Sequence, residues 1–135
     1  MPTIYDFDAA LRQRLEPEFG SLGQVAMHKL LFAVHRTAIC RTGKPAFQGR
    51  CEAWPMGPVF TELYFQPNVK GNPSALTTEQ NRYCDLVARI LGAQSGRSLA
   101  ARSHAKYPEW YLARRSAGKE ITVDAIREQL LLVKR

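Results

Sequence analysis

The stretch Glu52-Ala53-Trp54-Pro55-Met56-Gly57-Pro58-Val59-Phe60-Thr61-Glu62-Leu63-Tyr64 decides the fold. Helical spacing is lost from Lys44 to Met56, where Phe47, Gly49 and the run Cys51 to Trp54 read as two short strands around a Gln48-Gly49 turn. Downstream, Gly57-Pro58 predicts a helix start, because a proline at the first helical position has no needed N–H to lose. Val59, Phe60, Leu63 and Tyr64 would form the buried side of that helix. A two-stranded hairpin is marginal in water by itself, so this one must lie on helices.

The flanking sequence supplies them. A first helix is expected from Asp8 to Glu16, with Asp6 or Asp8 as cap and Pro17 as its stop. Ser21 with Gln24 reads as a capping box opening the strongest helix, whose apolar face is Val25, Met27, Leu30, Leu31, Val34, Ala38 and Ile39. Gly43 ends it in the left-handed conformation that glycine adopts most readily. Pro67 to Pro73 is a polar loop and the expected mobile segment. Thr77 with Gln80 predicts a second capping box, followed by Tyr83, Leu86, Val87, Ile90 and Leu91 at helical spacing and closed by Gly92. Ser95 or Ser98 opens the next helix, which carries Leu99 and ends near His104. Pro108 starts a short helix through Trp110 to Arg115. Thr122 caps the last one, with Ile121 stapled on Ile126 and Val123, Leu130 and Val133 facing inward. The expectation is a mainly α protein: a single helical domain with a small β-hairpin between its helices. Residues 1–20 would be an N-terminal helix and lead-in, and 21–135 the main domain.

A chain of 135 residues fits one domain. Its longest apolar stretch, Leu30 to Val34, is far too short to cross a bilayer. Asp6 and Asp8 stand where a secretory leader would be basic and then apolar, and three cysteines at unpatterned spacing suit reduced thiols, so a cytoplasmic location is expected. The net charge of +7 speaks to partners and not to fold. Arg97, Arg102, Lys106, Arg114, Arg115 and Lys119 form a modest basic cluster, which could grip phosphate or simply be a solvated helix face. The helix-hairpin-helix order is similar to that of winged-helix DNA binders, which keeps nucleic acid in play as a partner.

No catalytic or metal-binding set stands out. His28 and His35 are seven residues apart, about 10 Å of helical rise, too far to share one metal ion. They read as histidines flanking a core stripe. His104 ends a helix, with Ser98 and Ser103 nearby and Glu52 as a candidate carboxylate, yet no Gly-x-Ser-x-Gly elbow is present. Bracing the hairpin, through a backbone carbonyl or Glu52, is the favoured role for His104. Trp54, Trp110, Phe47 and Tyr64 gather around the hairpin; large aromatics are usually core, but they also dominate binding hot spots. Trp54-Pro55-Met56 is the place where such a patch would reach the surface. No cofactor is implied.

The ordered set Lys29-Leu30-Leu31-Phe32, Gly43-Lys44-Pro45-Ala46-Phe47, Glu52-Ala53-Trp54, Gly57-Pro58-Val59 and Leu63-Tyr64 resembles the signature of the Panacea domain of bacterial and phage antitoxins. That family is also described as SocA-like or phage-associated GepA-like. Leu99 through Ser103-His104, with Trp110, is similar to the family's second block. The chain departs from the pattern at Pro55 and Met56, where an aromatic or basic pair is common. The resemblance implies a protein antitoxin that binds and neutralises a cognate toxin encoded beside it, and one member class hands its toxin to a protease. It also implies that Glu52, Trp54, Met56, Gly57, Pro58, Tyr64, His104 and Trp110 shape the signature region or meet the partner. The alternatives are a protease adaptor and a DNA-binding regulator; an enzyme is not expected.

Overall fold

The computed structural model describes residues 1–133 and is mostly helical, with one two-stranded antiparallel sheet. Its centre is α2 (Gln24–Thr42), which is buried almost all round over its first three turns. Met27, Leu30, Leu31, Phe32 and Val34 are fully enclosed, and so are His28, Lys29 and His35. A helix apolar on every side belongs in the middle of a bundle. Around it stand α1 (Ile4–Phe19), α4 (Thr78–Leu91), α5 (Gly96–Lys106) and α7 (Val123–Val133). Ile4, Phe7 and Leu11 of α1 share one core with Leu99 and Ile126. The side chain of Val133 lies outside the described residues.

Several boundaries differ from the sequence expectation. The first helix begins at Ile4, after Thr3, whose amide donates to Asp6 Oδ2 at 2.8 Å. It runs through Pro17 to Phe19, because a proline in the last turn removes only one bond from a helix already held by burial. The Ser21 capping box does not form: Gly23 is the cap of α2, and Val25 is exposed. Gly43 does close α2 with φ +76°.

The hairpin is also displaced. Its strands are β1 (Cys51–Trp54) and β2 (Gly57–Phe60), so the turn is Pro55-Met56 and not Gln48-Gly49. Gly57-Pro58 therefore lies in a strand and starts no helix; α3 begins at Thr61 and ends at Phe65. Proline is tolerated because its pairing partner Ala53 turns its amide the other way, to Lys119 O at 2.8 Å. Ile121 N donates to Cys51 O at 2.8 Å, so residues 119–121 add a third, one-rung strand beside β1. Tyr64, expected on a buried side, is half exposed, and so is Ile90 of α4.

The later helices keep their expected starts. Thr77 and Gln80 exchange both capping bonds, Ser95 Oγ accepts from Ser98 N, and Thr122 Oγ1 accepts from Ala125 N. Pro108 opens α6 (Pro108–Arg114), and Ile121 and Ile126 are both buried. The Pro67–Pro73 segment is tied to α1 through Asn72 N and Asp6 Oδ1, 2.7 Å apart.

Candidate functional site

The residues of the signature meet around the hairpin, and most of their polar atoms hold its backbone. The loop carbonyl of Pro55 receives Nε2 of His104 at 2.8 Å, so that nitrogen carries the proton, since a carbonyl can only accept. The His104 ring stacks on Trp110 at 4.1 Å and 21°. Trp110 in turn donates its indole N–H to Trp54 O at 2.9 Å. Arg114 donates to Ala53 O at 3.1 Å. Consecutive carbonyls of the first strand and turn are thus held by α5 and α6, as expected of a brace.

The other side is held by α2. Lys29 Nζ donates to Pro58 O at 2.9 Å, and Phe60 N donates to His28 Nδ1 at 3.1 Å. Burial holds the Lys29 ammonium down to about 8, and burial followed by the neighbouring Lys29 charge holds His28 down to about 4. Burial alone lowers His35 to about 4, and burial pushes the nearby Cys51 thiol far up. Gly57 is demanded twice. Its φ is +115°, and a Cβ there would stand 2.8 Å from Lys29 Cε and 3.0 Å from Ser103 Oγ.

Glu52 lies on the outer face. Its carboxylate accepts from Trp54 Nε1 at 2.9 Å and from Arg50 Nε at 2.6 Å. Those two bonds, the indole first, hold its pKa below the usual carboxylate range. A Ser-His-acid set is not assembled: Ser103 Oγ is buried against Leu99 O, Ser98 bonds Gln94, and His104 faces Pro55. Among the described residues no group of three His, Cys, Asp or Glu could hold a metal ion. No helix is long and apolar enough to cross a membrane. In the basic cluster, Arg114, Arg115 and Lys119 hydrogen-bond groups of their own chain.

Of the remaining signature residues, Trp54 packs edge-on against Tyr64 at 4.7 Å, and Tyr64 against Phe65 at 5.1 Å. Tyr64 and Phe65 are 50% and 72% exposed, so the outer part of this row lies open to solvent; Met56 in the turn is 53% exposed. Phe47 takes the opposite role, buried against Phe7, His35 and Phe60.

Sequence reasoning missed the pair Arg36–Glu109. Nε of Arg36 and Oε2 of Glu109 are 2.6 Å apart, Glu109 is fully buried, and the guanidinium also covers the Tyr107 ring at 4.9 Å. No spacing rule links residues 73 positions apart. Lys29 stands in the signature with no role given to it by sequence reasoning, although it is the one charged residue in the run from Ala26 to His35, all of it buried.

A bundle that engages its signature side chains in displaying one short turn belongs to the class of small helix-and-hairpin domains. The family model described as Antitoxin SocA-like, Panacea domain matches residues 27–111, and the chain belongs to that family. No curated protein and no solved structure matches it. Family membership supports an antitoxin role.

Proposed function

We propose that this chain is a cytoplasmic antitoxin that neutralises a cognate protein toxin by direct, stoichiometric binding. Glu52, Gly57, Pro58, His104 and Trp110 hold the hairpin in shape, while Trp54, Met56 and Tyr64 meet the partner. The observation that carries this reading is the packed row Trp54–Tyr64–Phe65, whose last two rings are half or more exposed, on a family signature whose other polar groups already have partners. Exposed aromatics packed on one another are what protein-binding hot spots are made of. The mechanism is steric: the patch covers a working surface of the toxin, and the positive charge of the chain speeds encounter with an acidic one.

Co-expression with the protein encoded beside it tests this. The neighbour should arrest growth alone, be harmless with this chain, and co-purify with it in near-equal amount. Tyr64→Ser with Phe65→Ser should abolish rescue while leaving the thermal midpoint nearly unchanged. Full rescue by that double variant would remove the patch from the mechanism, and failure of the intact chain to rescue would remove the antitoxin reading.

A further inference from the structure

A second surface, sharing no residue with the hairpin, lies along the opposite half of α2. Between α2, α4, α5 and α7 is an open groove of about 320 Å³ floored by Ala33, Val87 and Leu91, with Ile90 and Leu130 at its sides. Three arginines line it, Arg36, Arg41 and Arg102, and no carboxylate does among the described residues. Arg36 is already paired with Glu109. Arg41 and Arg102 make no ion pair among the described residues, and the Nε of Arg102 is buried without a hydrogen-bond partner. A buried donor left unpaired is unfavourable, so an acceptor arriving there gains more than it would on an open surface.

The groove continues. A smaller one, lined by Ile39, Gly43, Arg127 and Leu131, shares Cys40 and Leu130 with it. Together they make a trough along α2 from Ala33 to Gly43, about 15 Å of helix. Its walls are helices with their backbone groups bonded internally, so it offers no strand edge to an extended peptide. A straight apolar trough between helices takes another helix, through side chains at helical spacing.

We infer that this trough binds an acidic amphipathic helix of the toxin, its apolar side chains on Ala33, Val87 and Leu91 and its carboxylates on Arg41 and Arg102. The inference rests on the antitoxin reading and adds the chemistry of the partner to it. Cys40 provides the probe, because it lies where the two grooves meet and is the exposed cysteine, whereas Cys51 and Cys84 are buried.

The experiment is iodoacetamide alkylation of Cys40 in the full chain, free and in its purified complex with the co-expressed neighbour, followed by mass spectrometry. Alkylation should slow by about tenfold or more in the complex, and Arg41→Glu with Arg102→Glu should weaken binding about tenfold or more, most at low salt. A complex in which Cys40 reacts at its free rate overturns the trough and leaves the antitoxin reading standing. Protection of Cys40 with unchanged affinity of the folded double variant overturns the acidic chemistry. If no complex forms, both readings fall.

Discussion

The two halves of α2 present opposite surfaces. Toward the hairpin, Lys29 and His28 are buried and hydrogen-bonded to the backbone of β2. Toward the trough, Arg41 and Arg102 line an apolar groove and make no ion pair among the described residues. Polar side chains on and around this helix therefore serve two purposes. Where they already have partners they shape the fold, and where they lack them they are available to a ligand. The contrast predicts that substitutions on the first surface act on stability and those on the second act on binding.

The largest effect of a single substitution should come from the pair that joins the surfaces. Arg36→Met leaves the Glu109 carboxylate buried without its cation, and should destabilise the protein by about 3–5 kcal/mol in urea titrations. A small loss would show that Glu109 finds another partner.

Acid should act next, through the histidines on the inner surface. His28 and His35 titrate near 4 in the fold against an ordinary 6.5, so the unfolded chain binds more protons between those values. Stability is then full above pH 6.5 and lost as the pH falls through 4, by up to roughly 3 kcal/mol for each histidine. Unfolding curves from pH 7 to 4 measure it, and His35→Leu should remove about half of the loss.

Gly57→Ala follows, since it combines a strained φ with the contact on Lys29 Cε. A cost of about 2–4 kcal/mol is expected in the same titrations. His104→Ala removes one bond to Pro55 O and the stack on Trp110, and should cost about 1 kcal/mol, since the group is exposed. At the far end, Arg41→Gln and Arg102→Gln should each stay within about 0.5 kcal/mol of the parent while weakening toxin binding. A large stability loss there would erase the distinction between the surfaces.

The same contrast explains what could be read from the sequence. Elements set by local chemistry were legible: the capping box at Thr77 and Gln80, the cap at Ser95, Pro108 at the head of α6, and Gly43 at the end of α2. Of the two partners expected for His104, a backbone carbonyl or Glu52, the structure has the carbonyl of Pro55. Where local and tertiary preferences disagreed, the tertiary ones won. Gly57-Pro58 carries a helix-start signal, yet its groups are drawn into a strand by Lys29 from one side and by pairing with Ala53 and Trp54 from the other. Pro17 carries a stop signal that burial of α1 overrides. The trough was invisible because its guanidiniums come from residues 36, 41 and 102, which only packing brings together.

The segment 119–121 beside β1 has a further consequence. Ile121 and Lys119 bond one flank of the sheet, while Lys29 and His28 bond the other, and Pro58 has no amide to offer. Both margins of the hairpin itself are bonded from within the chain, which leaves neighbouring copies little ladder to extend. A protein that displays an exposed aromatic row must still stay dispersed, and closed sheet margins are one protection against aggregation.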